Sequence, residues 1–282
     1  MNSFQLNDEE KKQILSKYAE FSSLRGEPNQ ELDQYFVTQD TSLKRALLFQ
    51  PEEYENKWII FLGDMDLVGF HLGLLAKPKD LAVLDIDKRM PEIVFSMKFN
   101  YKIRSARYIN HDLRIRMLAV LKNQYDFIFT ESPMTIEGNE VFLSRAVQCA
   151  KKDGDSRIIL STDIKEEKKD ELYSLFDQMN LEVEQHIKDF NKYSFKTVLG
   201  KTNSDLFILR VLENSKENIV NHYLGPMFFR EIEQKTKPYR CKCGNIIEIG
   251  KEMSSVDELY EKGCPKCGHK EVFVYNSSIK LE

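Results

Sequence analysis

The chain has 282 residues, of which 41% are hydrophobic and 30% charged. That is enough for one large domain, or a domain with appendages, around a real core. A formal net charge of −4 gives no prior for nucleic acid or an anionic membrane surface, and no apolar run reaches the ~18 residues of a membrane span. The opening "MNSFQLNDEEKK" lacks a basic stretch followed by an apolar one, so no secretory signal is expected and a cytoplasmic location is the default.

In chain order, "LNDEEKKQILSKYAEFSSL" starts with a capping residue, Asn7, and has apolar spacing that predicts a helix. "GEPNQELDQYFVT" breaks it, and "SLKRALLF" is read as another helix. From Trp58 short apolar runs alternate with amphipathic segments. The strands expected are "WIIFL", "LAVLDI", "IRSARYI", "DFIFT", "SRIILST" and "LEVEQHIK". The helices expected between them are "LVGFHLGLLA", "MPEIVFSMKF", "IRMLAVLK", "EVFLSRAVQCAKK" and "KKDELYSLFDQM". Such alternation predicts an α/β class with a doubly wound, mostly parallel sheet. "DLFILRVL" at 205–212 is expected as an antiparallel edge strand. The expected organisation is an N-terminal helical segment over 1–50, the sheet domain over 51–212, a linker over 213–237 and a cysteine-rich module over 238–282.

The first apolar run ends in "GDMD". Gly63 lets the chain turn and approach a ligand closely, as in the strand–turn–helix units that hold nucleotide-type ligands. The fingerprint G-x-G-x-x-G is absent, and Asp64 and Asp66 would repel a pyrophosphate, so a cation or a neutral nucleoside is the expected occupant. Asp85 ends the second strand 22 positions after Gly63, a spacing suited to ribose hydroxyls. Asp112 follows the third strand, where it is either an acceptor for an adenine amino group or a helix cap. "FIFTESPMT" closes the fourth strand. Pro133 holds a fixed turn there, so Glu131 and Ser132 are expected at the carboxyl edge of the sheet, where a carboxylate can orient an amine and take its proton.

Four of the five cysteines fall between 241 and 267. "CKCGN" and "CPKCGH" place Cys241, Cys243, Cys264 and Cys267 in two cysteine–glycine knuckles, with twenty residues between Cys243 and Cys264. That predicts a zinc ribbon, with a structural metal because four thiolates leave no open position. His269 is expected as an exposed neighbour and Cys149 as a buried small hydrophobe. The histidines at 71, 111, 186 and 222 have no metal-like spacing.

Several of these segments occur together in one order: "ELDQYFVT" (31–38), "FLGDMDLVG" (61–69), "LDID" (84–87), "HDL" (111–113), "ESPMTIEGNEVFLSRAV" (131–147) and "DFNKY" (189–193). Over roughly residues 30–212 they resemble the branched-chain polyamine synthases, the N4-bis(aminopropyl)spermidine synthases. The resemblance implies a Rossmann-like class I methyltransferase fold turned to aminopropyl transfer, with decarboxylated S-adenosylmethionine as donor. Asp64 and Asp66 match the outer acids of the family's "GDDD" and are expected beside the donor amine or the attacking nitrogen. Glu131 matches the acid of its "DPP", which makes Asp66 and Glu131 the implied catalytic pair, with Ser132 and Pro133 at the acceptor. Asp33 and Gln34 match its "DQ", and are expected to close the site from the N-terminal segment.

The chain departs from the pattern at Met65, where the family has its middle acid, and at Ser132, where it has a proline. The expected acceptor is a small molecule, either a polyamine or a less cationic compound such as the nucleotide phosphate of a microcin C-type peptide antibiotic. Nucleic acid and membrane partners are disfavoured, and a homodimer is left open. A methyltransferase using ordinary S-adenosylmethionine and a non-catalytic nucleoside-binding protein are the alternatives.

Overall fold

The computed structural model describes residues 6–236, 238–248, 256–270 and 274–275. The chain forms two compact units, Met1–Gly225 and Pro226–Glu282. The first begins with α1 (Asp8–Phe21), α2 (Gln39–Ala46) and α3 (Pro51–Tyr54). It continues with β1 (Trp58–Leu62), α4 (Val68–Leu75), β2 (Asp80–Asp85), α5 (Met90–Phe99) and β3 (Ala106–Asn110). β4 (Phe127–Glu131), α6 (Ile136–Cys149), β5 (Arg157–Thr162), α7 (Lys169–Gln178), β6 (Leu181–Lys192) and β7 (Asn203–Val211) complete it.

The seven strands run in the order β3-β2-β1-β4-β5-β7-β6. β3, β2, β1, β4 and β5 pair in parallel, and β7 is antiparallel to both of its neighbours. This is the doubly wound sheet of the class I methyltransferase fold. β1 is apolar throughout because it is buried on both faces: Ile59, Ile60, Phe61 and Leu62 are at most 1% exposed. Chain order reverses between β1 and β4, and the register Leu62↔Thr130 sets Gly63 beside Glu131. That is the switch point at which such sheets open a ligand crevice.

Asn7 caps α1 through a capping box with Glu10, as the sequence predicts. Helix α1 is not peripheral. Tyr18 and Phe21 belong to the main core, and Phe21 stacks on Phe70 of α4 at 4.0 Å. Downstream, the segment 36–38 docks against the end of β6: Thr38 N–H donates to Lys192 O at 2.7 Å and Ser194 N–H to Phe36 O at 2.9 Å. The N-terminal segment is thus bound to both the first helix and the last strands of the sheet.

Three expectations are corrected. "IRMLAVLK" forms only a single turn of 3-10 helix, Ala119–Leu121; Met117 and Leu121 are buried, but Ile115, Leu118 and Val120 are exposed, so most of its apolar residues find no cover that a longer helix would need. "DLFILRVL" is antiparallel but interior, and "LEVEQHIK" takes the edge. Burial explains it, since Leu206, Ile208 and Leu209 are fully buried whereas β6 is mostly half-exposed. The stretch 213–225, expected as linker, belongs to the first unit. Buried Arg145 donates to Ile219 O and Asn221 O, and Tyr223 N–H donates to Arg114 O at 2.7 Å.

The second unit holds α8 (Phe229–Thr236), β8 (Pro238–Arg240), β9 (Ile246–Glu248), α9 (Val256–Lys262) and β10 (Val274–Tyr275). Its strands form a small antiparallel sheet in the order β10-β8-β9. Among the described residues, no helix is long and apolar enough to cross a membrane.

Candidate active site

The turn after β1 is built from its backbone outward. Gly63 takes φ +78°, and its N–H donates to Leu84 O at 2.9 Å. Asp64 then turns back onto the helix that follows: Oδ1 accepts from Val68 N–H at 2.8 Å and Oδ2 from Gly69 N–H at 2.9 Å. Both carboxylate oxygens are therefore spent capping α4, where the helix dipole favours an anion. Burial still pushes the Asp64 carboxyl well above the usual range, against those two amides. Leu67, just before α4, sits in the left-handed region at φ +60°, a strained conformation for a branched side chain. Met65, at the position where the resemblance has an acid, is buried in the main core.

Asp66 has a different role. Its Oδ1 accepts from Val37 N–H at 2.9 Å, and its Oδ2 accepts from Arg45 Nη1 at 2.8 Å. The same Arg45 Nη1 donates to Glu131 Oε2 at 2.8 Å. One guanidinium on α2 thereby joins the carboxylates that follow β1 and end β4. Arg45 is itself fixed by a bond from Nε to Asn191 Oδ1 at 2.7 Å, while its buried Nη2 has no partner. Tyr193 OH donates to Glu131 Oε1 at 2.8 Å and shares a bond with Ser204 Oγ at 2.9 Å. Burial, followed by the charge of Asp66, outweighs Arg45 and pushes the Glu131 carboxyl up to about 8. An acid held near neutrality can carry a proton in either direction.

Behind Glu131, Ser132 is buried and its Oγ donates to Asn139 Oδ1 at 2.8 Å. Pro133 O accepts from Thr135 N–H and Asn139 Nδ2, which closes the fixed turn expected of the proline. On the other side of β1, Asp85 Oδ1 accepts from Asp87 N–H at 2.8 Å. Gly63 lies next to this carboxylate: a Cβ built on it would be 3.9 Å from Asp85 Oδ2, an ordinary contact, so it is the positive φ that calls for glycine here. Gln34 Nε2 donates to Asp87 Oδ2 at 2.9 Å and Gln34 Oε1 accepts from Arg89 Nη2 at 2.8 Å. The "DQ" segment is so tied to the tip of β2. Asp33 is buried at φ +51°. Asp112 lies beyond β3, and its Oδ1 is taken by Arg114 N–H at 2.9 Å, the geometry of a local cap.

The structure brings Asp66 and Glu131 together, sets Asp85 beside Gly63, and leaves Asp64 and Ser132 with internal partners. Three residues of the cluster were not singled out from the sequence: Arg45, Asn191 and Tyr193. The last two lie in "DFNKY", a matched segment whose individual side chains had no assigned role. Nothing in "SLKRALLF" separates buried Arg45 from exposed Lys44. A cavity of about 320 Å³ also opens beyond the ends of β5 and β7, lined by Asp163, Lys188, Lys201, Asp205 and Phe207 among others. Ser204 lines it too and connects it to Glu131 through Tyr193.

In the second unit, the Sγ atoms of Cys241, Cys243, Cys264 and Cys267 lie within 4.8 Å of one another. Cys241–Cys267 and Cys243–Cys264 are 3.6 and 3.8 Å apart. Tetrahedral coordination with Zn–S near 2.3 Å requires sulfurs about 3.8 Å apart, so the donor set fits zinc. His269 is half-buried and outside the cluster. Cys149 is buried on α6.

With this geometry in view, the model of the branched-chain polyamine synthase A C-terminal domain matches residues 13–262. The chain belongs to that family. An uncharacterised protein of Methanocaldococcus jannaschii is 31% identical over 283 residues, covering 98% of this chain and 68% of that protein. The N4-bis(aminopropyl)spermidine synthase of Thermococcus kodakarensis is 31% identical over 143 residues, covering 50% of this chain and 41% of the enzyme. The chain thus spans about two fifths of that synthase's length. The fold is that of the branched-chain polyamine synthase from Thermus thermophilus, solved with N4-aminopropylspermidine and 5'-methylthioadenosine. The two share a TM-score of 0.69 at 19% identity, over 77% of this chain and 69% of that one. A putative RNA methyltransferase of Pyrococcus horikoshii has the fold as well, with a TM-score of 0.52 at 13% identity over 69% of this chain and 98% of that one.

Proposed function

We propose that this chain transfers an aminopropyl group from decarboxylated S-adenosylmethionine to a small-molecule acceptor. The observation that carries the reading is the meeting of Asp66 and Glu131 on one guanidinium at the switch point, in a chain of the branched-chain polyamine synthase family. The nucleoside half of the donor lies over Gly63, with its ribose hydroxyls on Asp85. The acceptor nucleophile attacks the methylene carbon bonded to the sulfonium. Its bond to carbon forms as the carbon–sulfur bond breaks, and that electron pair returns to sulfur, leaving neutral methylthioadenosine. An attacking amine gives up one proton, and Glu131 is the group placed to take it. The catalytic work is alignment and proton uptake.

The donor choice follows from charge. Ordinary S-adenosylmethionine brings a carboxylate toward a turn that already holds Asp64 and Asp66, whereas the decarboxylated donor brings only an amine. For the acceptor, Met65 puts an apolar side chain where the resemblance has an acid. That favours an acceptor less cationic than a polyamine, of which the nucleotide phosphate of a microcin C-type peptide is an example. The four cysteines hold one structural zinc, and thiolates committed to a metal suit a cytoplasmic setting.

Calorimetry with both donors tests the reading. Tighter binding of decarboxylated S-adenosylmethionine, with methylthioadenosine released once an acceptor is added, is the expected result. Preference for ordinary S-adenosylmethionine with methyl transfer would replace it.

A further inference from the structure

We propose that Tyr193 and Ser204 form a proton exit, which carries to the adjoining cavity the proton that Glu131 takes from an acceptor amine. The inference rests on the aminopropyl-transfer reading and on an amine as its nucleophile; it names the route by which that same site is reset.

An alkyl amine reaches the crevice at neutral pH as its ammonium, and must lose a proton before its lone pair can attack the donor. Glu131 can take that proton repeatedly only if it has somewhere to send it. The Glu131 side chain is 27% exposed, and that open side is the one an acceptor covers in reaching it. Behind it stand Arg45, Asp66 and Tyr193. Arg45 keeps its own proton at any ordinary pH. Asp66 is buried, with Oδ1 taken by Val37 N–H and Oδ2 by Arg45 Nη1, so a proton placed there would meet a donor on either oxygen. Tyr193 is the neighbour that leads outward.

Its OH lies 2.8 Å from Glu131 Oε1 and 2.9 Å from Ser204 Oγ. Ser204 Oγ also accepts from Asn191 Nδ2 at 3.0 Å, which leaves its own hydrogen to turn either to Tyr193 or into the cavity that Ser204 lines. While Glu131 is ionised, Tyr193 donates to it and Ser204 donates to Tyr193. Protonation of Glu131 at Oε1 reverses the chain, since the acid is then the donor. Its proton passes to Tyr193 Oη as the Tyr193 hydrogen passes to Ser204 Oγ and the Ser204 hydrogen to cavity water. Each hydroxyl ends with one hydrogen, Glu131 is again a carboxylate, and rotation of the two O–H bonds restores the starting order. No tyrosinate is formed; burial, followed by the charge of Glu131, holds the Tyr193 phenol neutral. The cavity suits a receiver of protons: four carboxylates line it, Asp163, Glu166, Asp189 and Asp205, against three lysines.

The test is methylthioadenosine release from decarboxylated S-adenosylmethionine, with spermidine, putrescine and propylamine as acceptors, in ordinary and in heavy water. Ser204→Ala cuts the chain beyond Tyr193 but leaves the Tyr193–Glu131 bond, and Asn191 keeps its bond to Asp205 O. It should lower kcat at least about tenfold and raise the solvent isotope effect on kcat, because proton exit then limits turnover. The affinity for methylthioadenosine should not change. Ser204→Thr, which keeps a hydroxyl, should return kcat and the isotope effect to near the wild type. Tyr193→Phe cuts the chain one link earlier; it should show the same loss, and it decides should Ser204→Ala not fold. Wild-type kcat in Ser204→Ala overturns the relay and leaves aminopropyl transfer standing. So does a loss of kcat with an unchanged isotope effect or with weaker methylthioadenosine binding. No release from the wild type with any of the amines, although the donor binds by calorimetry, overturns the amine nucleophile and the relay with it. No binding of the donor overturns aminopropyl transfer itself.

Discussion

Glu131 is the residue in which burial and charge compete most directly. Arg45 and Tyr193 donate to its oxygens while Asp66 faces it, and the balance lies near about 8. Because the folded state raises this pKa, it favours the protonated acid. The resulting stabilisation is fully present below the ordinary carboxylate range and is lost as pH rises toward 8. A base must be ionised, so kcat/KM should climb through the same window. Glu131→Gln should lower turnover by about 10²–10⁴, abolish that limb and leave methylthioadenosine binding unchanged; a variant with the wild-type pH profile would remove Glu131 from the proton path. His71 presents the opposite case. It stacks on Tyr18 at 4.6 Å, both ring nitrogens are buried without partners, and burial pulls its pKa down to about 3. The folded state thus holds it neutral, and stability falls as pH drops from about 6.5 toward 3. His71→Phe keeps the stack and removes the titration. Its melting temperature should exceed the wild type's by a wider margin at pH 5 than at pH 8, and an equal margin at both would show that His71 finds a partner after all.

Helix α4 shows how an element fixes a site. Its first turn offers the Val68 and Gly69 amides to Asp64, and that bond aligns the loop carrying Asp66. A Cβ at Gly69 would lie 2.7 Å from Asp64 Oδ2 and 3.3 Å from the Phe61 ring, so the glycine is there for close approach. Gly69→Ala should cost about 1–3 kcal/mol and weaken turnover as well, because Asp66 moves with the loop. Equilibrium denaturation with an activity assay checks both; full stability would mean the loop adapts freely. At this scale the sequence is informative where a segment has one environment. β1 reads as a strand because both its faces are buried, and α1 reads as a helix because its cap lies in neighbouring residues. The order of β6 and β7 is not legible, since it depends on which strand finds cover on both faces. The site divides in the same way. Asp66, Asp85 and Glu131 stand at strand ends, where local pattern locates them. Arg45 reaches the crevice from a different helix, and its burial follows from packing that joins α2 to β6.

For the whole molecule, the two units differ in what holds them. The first has an extensive apolar core running from Tyr18 to Ile208. The buried cluster described for the second is Cys241, Ile247, Leu259 and Cys264, with Tyr239 packed against it. Two of those four are cysteines, so half of this small core is also the candidate metal site. A cluster this small, among the described residues, is the kind that a further staple holds together. Structural zinc supplies folding free energy directly when its ligands converge only in the folded state. Metal analysis of gently purified protein should therefore find one zinc per chain bound by Cys241, Cys243, Cys264 and Cys267. Chelation, or Cys264→Ser, should unfold residues 238–270 while the sheet keeps its melting transition, because the core of the first unit includes none of these thiolates. Hydrogen exchange distinguishes the units residue by residue. Fast exchange confined to the cysteine knuckles and β8–β9 is the expected pattern. Unaltered protection there after complete zinc removal would show that the small cluster folds without a metal, and exchange spreading into β1 and β4 would show that the sheet depends on it too.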